Sequence, residues 1–348
     1  MKNKKWLGSI IIAAVLALSV WIVFRSNDPQ MVWDTLRSLK PGWVVAAIGC
    51  WLGFLLFDAV GYLLYYRRHG HPVRLFYLLY VTLMGAFYSG ITPGSSGGQP
   101  LQVYHLKKAG VPVGVSTSGL AVRFALGQLS SVLIVPVVWL IHRDFINVQL
   151  AGMRFLVWIG WSIHLLGVLL IAAATFFRPW VQRLADRLVA AGAKLRLIKD
   201  PAAAAEKLHS VLDNYHTNML QTVKRPGELL TQLFLSSLSV LSLMLVAVCV
   251  YYAFGLSSTS WQQVLAIAYL LYMSASYNPL PGASGAQEGG FLAFYRGIFP
   301  PGQNSLAMLV WRLFSYYIGL LAGAAALAVS GAAAAVGKKT ASEGEPQG

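Results

Sequence analysis

The chain has 348 residues and a formal net charge of +15, with 57% hydrophobic and only 11% charged side chains. Average soluble domains carry roughly 25% charged residues. This much apolar surface cannot be hidden in one globular core, so an ordinary soluble fold is excluded. The positive charge then reads as basic loops facing an anionic membrane leaflet rather than as a nucleic-acid surface, and no nucleic-acid-binding motif occurs.

In chain order, residues 1–5 are basic and precede an uncharged run at 7–24. That run is long and no A-x-A cleavage site follows it, so it predicts an uncleaved helix at 6–24. Residues 25–42 read as a short amphipathic linker. Further membrane helices are predicted at 43–66, 75–91, 114–141, 155–177, 228–254, 263–278 and 304–330. The runs 155–177 and 229–255 hold no charge over 23 and 27 residues, enough to span a bilayer. Cys50 and Cys249 sit in apolar runs and read as small hydrophobes rather than a disulfide. His69 and His71 read as solvated. Residues 178–227 carry nine Lys or Arg with helical periodicity; they read as amphipathic helix on the cytoplasmic surface or as a solvated helical hairpin. The expected organisation is one polytopic membrane domain, 1–336, followed by a disordered tail, 337–348.

Orientation follows from the basic loops at 1–5, 67–74 and 178–227, which are expected to be cytoplasmic. With the apolar helices alone the count fails, because the nine-charge loop would end outside. One extra crossing between 92 and 112 repairs it. That stretch is polar and Gly-rich, which is tolerated at membrane depth only where it is buried in protein or lines a wet cavity. An interrupted, re-entrant segment is therefore predicted there. With a second such segment both termini are cytoplasmic, in agreement with Lys338 and Lys339.

The same oddity recurs. Residues 93–100 read PGSSGGQP and residues 281–288 read PGASGAQE, identical at five of eight positions with an offset of 188. Each octet closes an apolar helix. Each leads through a short segment, with Tyr104 or Tyr295 near its end, to a helix bearing one intramembrane arginine. The spacing is 24 residues from Gln99 to Arg123 and 25 from Gln287 to Arg312. The expected fold is thus all-α, with about 8 transmembrane helices and two broken or re-entrant segments in an inverted repeat, its units near 75–141 and 263–330.

Charges at membrane depth are default functional candidates: Asp58, Glu288, Arg123 and Arg312. Arg296 is expected nearer the interface. Guanidinium groups suit phosphate, and two symmetry-related arginines could bracket one head group. Alternatively, Arg123 pairs with Asp58 and Arg312 with Glu288 as structural locks. In the octets, Gly94, Gly97, Gly98, Gly282 and Gly285 could present backbone N–H groups as an anion nest. Ser95, Ser96, Ser284, Gln99 and Gln287 would add neutral polar contacts. The plain alternative is a Gly-Pro turn. No metal-ligand spacing, Walker loop, G-x-S-x-G or C-x-x-C is present, so no metal or cofactor is expected.

At residues 92–111 (TPGSSGGQPLQVYHLKKAGV) with Arg123, and at 279–290 (PLPGASGAQEGG) with Arg312, the sequence resembles the lysylphosphatidylglycerol synthase transmembrane family. This is the flippase-like membrane region of the multiple peptide resistance factor and of stand-alone bacterial proteins. The likeness runs over roughly residues 6–335. Glu288 stands where the second motif of that family has a glutamate. The first motif of many members also has one, but here the place reads Gly98-Gln99-Pro100, so the two half-sites need not handle charge alike. The resemblance implies a plasma-membrane protein that moves an anionic or aminoacylated phospholipid between leaflets, with membrane lipids as partners and a homo-oligomer left open. The stretch up to Gly348 offers no room for the soluble domain that makes the aminoacyl lipid, so this chain alone is not expected to be a transferase; the second reading is a phosphatidylglycerol lysyltransferase, acting alone or with a separate soluble catalytic partner. An ion-coupled transporter of a small solute, with Asp58 or Glu288 as proton site, is the third reading.

Overall fold

The computed structural model describes residues 29–194, 200–275, 278–300 and 302–329. The expected helix at 6–24, the basic segment 1–5, the tail at 337–348 and the placement of both termini lie outside the described residues. Within them the chain is all-α. Five helices are long and apolar enough to cross a membrane: α2 (Pro41–Arg68), α5 (Val113–Ile141), α7 (Arg154–Phe176), α10 (Pro226–Ala253) and α13 (Asn304–Val329). Two shorter helices, α3 (Leu75–Ile91) and α11 (Trp261–Ala275), each lead into an octet. Short helices α4 (Gly98–Lys108) and α12 (Ala286–Phe294) follow the octets. Outside the membrane-crossing helices lie α1 (Pro29–Ser38), α6 (Arg143–Gln149), α8 (Arg178–Lys194) and α9 (Pro201–Val223). The chain is thus a multi-pass helical membrane protein. Among the described residues, each predicted helix occurs within a few positions of its expected ends, and the linker at 25–42 contains α1.

Which end of the bundle each helix reaches follows from a few bonds. The Lys40 amide, just before α2, donates to the carbonyl of Ala253 at the end of α10, at 2.8 Å. The start of α2 and the end of α10 therefore share one end of the bundle, which is called the Lys40 end below. Since α3 follows the end of α2 and α11 follows the end of α10, these two helices enter from opposite ends.

Each then folds back on itself. The Tyr77 hydroxyl near the start of α3 donates to the carbonyl of His105 near the end of α4, at 2.8 Å. The Tyr295 hydroxyl just after α12 donates to the carbonyl of Val264 near the start of α11, at 3.2 Å. Glycine permits this close pairing: a Cβ on Gly98 would collide with Ser89 and with the Gly85 carbonyl of α3.

The basic stretch after α7 forms a helical hairpin. α8 and α9 pair through Arg178–Asp213 and His209–Asp186, and α9 packs on the start of α5, where Gly114 lies against Asn214. The hairpin leaves Trp180, Leu184 and Leu188 of α8 exposed along one face. His69 departs from expectation: its side chain is buried, with Nδ1 3.9 Å from the buried carboxylate of Glu228. Glu228 also draws Arg68 and Arg225, at 3.7 and 3.8 Å, to the N-terminus of α10, a site where carboxylates are stabilised. The cysteines are free, with Sγ atoms 3.8 Å apart. The final helix departs from a uniform α-helix in a π turn, Leu313–Tyr317, directly after Arg312.

Candidate functional site

The two octets have matching local conformations. Each forms a single 3-10 turn, Pro93–Ser95 and Pro281–Ala283. Each holds two consecutive residues in the left-handed region: Gly94 and Ser95 (φ 58 and 56) and Gly282 and Ala283 (φ 61 and 52). Glycine tolerates that region freely, whereas a residue with a side chain enters it only when the surroundings demand it. Ser95 and Ala283 are the only described residues other than glycine with positive φ, and they sit at equivalent places. The first octet also reaches the second turn, because the Gly94 amide donates to the carbonyl of Pro279, two residues before the second octet, at 2.8 Å. The hairpins α3–α4 and α11–α12 therefore enter from opposite ends and meet tip to tip.

Beside the tips lies a cavity of about 670 Å³. Of the residues singled out from sequence, Asp58, Gln99, Gln287, Ser95, Ser96, Arg123, Gly94 and Gly282 line it. Asp58 of α2 and Arg123 of α5 fall in the middle third of their helices, as does the cavity-lining Ser239 of α10. The cavity therefore sits near mid-height in the bundle.

The two arginines are engaged in different ways. Arg123 Nη2 donates to Asp58 Oδ1 at 2.8 Å and to the Phe57 carbonyl at 3.2 Å, and its Nη1 reaches Gln232 Oε1 at 3.3 Å. The side chain of Arg123 is 1% exposed, against 21% for Asp58. Both line the cavity, the carboxylate the more openly. Gly61 makes the room, since a Cβ there would collide with the guanidinium. Arg312 does not line the cavity. Its Nε donates to Glu288 Oε1 at 2.6 Å and its Nη2 to the Gly282 carbonyl at 3.0 Å. Its guanidinium also lies over the Tyr316 ring, 4.3 Å from the centroid. Glu288 and Ser284 are likewise buried behind the wall. As folded, the arginines form the two ion-pair locks rather than bracketing one shared point.

The departure at Pro100 has a structural counterpart. In the second unit Glu288 does two jobs: it pairs with Arg312, and its Oε2 accepts from the Gly285 amide at 2.7 Å. In the first unit Pro100 occupies the equivalent position and can do neither. The equivalent amide, Gly97, donates to Thr92 Oγ1 at 2.8 Å, and Arg123 takes Asp58 from a different helix. The work of one glutamate is divided between a threonine and an aspartate.

Most of the octet amides are already engaged as folded. The amides of Gly94, Ser95, Ser96 and Gly97 donate to Pro279, Thr92, Pro93 and Thr92 respectively. Those of Ala283, Ser284 and Gly285 donate to Leu280, Pro281 and Glu288. Any anion would have to compete with these bonds. Gly98 is spent on the close α3–α4 contact instead.

Sequence reasoning missed several cavity residues: Tyr62 and Gln102, Gln128 of α5, Ser236 and Ser239 of α10, and Tyr316. The signal for the serines was present, because Gln232, Ser236, Ser239 and Ser242 repeat at helical spacing along one face of an otherwise apolar run. Gln128 belongs to a buried network in which its Nε2 lies 2.8 Å from His164 Nδ1 and its Oε1 accepts from the Tyr272 hydroxyl at 3.0 Å. Arg296 is exposed. Among the described residues no group of three or more His, Cys, Asp or Glu could hold a metal ion.

A multi-pass helical bundle with opposed hairpins closing on a polar cavity defines a flippase-like membrane protein. The profile of the lysylphosphatidylglycerol synthase TM region matches residues 6–323, and the chain belongs to that family. It is also similar to a UPF0104 membrane protein of Archaeoglobus fulgidus, 25% identical over 331 residues, which cover 91% of this chain and 94% of that protein.

Proposed function

We propose that the chain translocates a phospholipid or lipid-linked substrate, of the aminoacylated phosphatidylglycerol type, across the bacterial plasma membrane. The observation that carries this reading is the tip-to-tip contact of two opposed hairpins beside a polar cavity at mid-height. A head group crossing bare hydrocarbon loses its hydrogen bonds, at roughly 2–7 kcal/mol per amide or hydroxyl. Gln99, Gln287, Ser95, Ser96 and the Asp58 carboxylate would replace those bonds while the acyl chains stay in lipid. Arg123 holds Asp58 in orientation through its Nη2. Glu288 and Arg312 hold the second tip in shape.

In this reading α3–α4–α5 and α11–α12–α13 are the two units of an inverted repeat, an arrangement in which substrate sits where broken helices meet. The end of the bundle bearing Arg67, Arg68, Arg74, Lys107, Lys108 and the α8–α9 hairpin is cytoplasmic, by its excess of basic residues over the Lys40 end. Rocking of one unit against the other would open the cavity to each leaflet in turn, with the Gly94–Pro279 contact as the hinge region.

The test is reconstitution. Vesicles containing the purified chain and a head-group-labelled phospholipid should equilibrate the label between leaflets much faster than protein-free vesicles. The combined variant Asp58→Asn, Arg123→Gln should return the rate to the protein-free level. Equal rates with and without the protein overturn the proposal. Formation of lysylphosphatidylglycerol from lysyl-tRNA by the chain alone would instead favour the transferase.

A further inference from the structure

A second cavity, of about 580 Å³, lies on the other face of the α3–α4 hairpin. One side of that hairpin, through Ser89, Gln99 and Gln102, faces the central cavity. The opposite side, with the end of the last helix at Leu327, forms a groove lined by Tyr77, Tyr80, Tyr88, Tyr104 and Lys108. Three features set it apart from a scatter of interfacial aromatics. Four tyrosines converge from two helices on one groove. A cation stands at its end, with Lys108 Nζ 4.5 Å from the Tyr104 ring centroid. Among the described residues no carboxylate lines it, in contrast to the central cavity, where Asp58 balances Arg123.

The groove is therefore cationic, rich in hydroxyl donors and flanked by apolar side chains on a membrane-embedded hairpin. Tyr77 is already committed to the His105 carbonyl, which fixes the groove's wall and leaves the lysine end to define its charge. Lys108 closes α4, where the helix C-terminus favours a cation, and Tyr77 places that end beside the basic loop at 67–74. Tyrosine suits a ligand that is polar at one end and apolar along its length.

We propose that this groove is a lateral binding site for an anionic phospholipid. The phosphate would sit at Lys108 and the Tyr104 hydroxyl, and the glycerol and first acyl carbons would run along the tyrosines of α3. It is separate from the central cavity and does not depend on translocation.

The experiment uses the full-length chain in phosphatidylcholine nanodiscs doped with phosphatidylglycerol carrying a photoreactive group near its head. A parallel sample carries the same group on phosphatidylcholine. After illumination, adducts are mapped by mass spectrometry. The expected result is that phosphatidylglycerol adducts concentrate in the α3 and α4 peptides and exceed those of phosphatidylcholine. Lys108→Glu should lower the phosphatidylglycerol yield roughly tenfold, as expected for loss of a charge-assisted contact, and leave the phosphatidylcholine yield unchanged. Lys108→Arg should retain it. Lys108 is exposed, so neither change threatens folding. Asp58→Asn, which alters the central cavity, should leave the adducts in place, so failure of the groove and failure of the transport reading are distinguishable. Equal labelling by both lipids, insensitivity to Lys108→Glu, or displacement of the adducts by excess inorganic phosphate overturns the lipid site.

Discussion

Gly94 and Pro279 stand 185 positions apart in the sequence, yet the amide of one donates to the carbonyl of the other at 2.8 Å. That single bond joins the tips of two hairpins that enter the bundle from opposite ends. Around it the chain places backbone in the left-handed region, an ion pair on either side and a polar cavity, a concentration of costly features that packing alone does not require.

The Asp58–Arg123 pair should behave as a coupled unit. Removing one partner of a buried pair leaves an uncompensated charge and typically costs about 3–5 kcal/mol. Here the cost falls unevenly, because Asp58 can be solvated from the cavity and Arg123 cannot. Asp58→Ala should therefore destabilise more than Arg123→Ala, and the double variant should cost less than the sum of the two. Unfolding of the purified protein in detergent measures all three; additive losses would contradict the pairing.

Glu288 and Thr92 should differ in weight although both accept an octet amide. Thr92→Val removes one neutral hydrogen bond to the Gly97 amide and should cost about 1 kcal/mol. Glu288→Gln removes the partner of a buried guanidinium and should cost about 3 kcal/mol or more. The same unfolding measurement gives the order, and a larger loss for Thr92→Val would show that the division of labour between the two units has been misread.

Two glycines of α2 offer a matched comparison. A Cβ at Gly61 collides with Arg123, while one at Gly49 meets nothing within 4 Å. Gly49→Ala should be neutral or stabilise by roughly 0.5–1 kcal/mol, the usual helix-interior effect. Gly61→Ala should displace the guanidinium and lower both stability and lipid movement. Equal behaviour of the two variants would place Arg123 elsewhere.

Much of this was legible before any coordinates. The apolar runs marked the helices, and the octets marked the turns at the tips of the two hairpins. Both ion pairs were among the alternatives, since only two acids and two arginines competed at membrane depth. What could not be read was which way each pair faced. Which of Arg123 and Asp58 is the more open to the cavity depends on the packing of α2 against α5 through Gly61, a long-range contact with no local signature. The engagement of the octet amides was hidden for a related reason: the acceptor of Gly94 is Pro279, just ahead of the other octet. The π turn after Arg312 holds Tyr316 against Gly282 and the Gly90 carbonyl, contacts with distant residues that 313–317 alone do not signal.

The central claim is that the cavity at the hairpin tips carries the head group. Gln99 and Gln287 are equivalent in the two octets, both line the cavity, and neither belongs to an ion-pair lock. The most direct measurement is leaflet exchange of a head-group-labelled phospholipid in vesicles containing the Gln99→Leu, Gln287→Leu variant, with its unfolding temperature checked against the parent. The account predicts a normally folded protein whose exchange rate falls to that of protein-free vesicles. Exchange at the parental rate would contradict it.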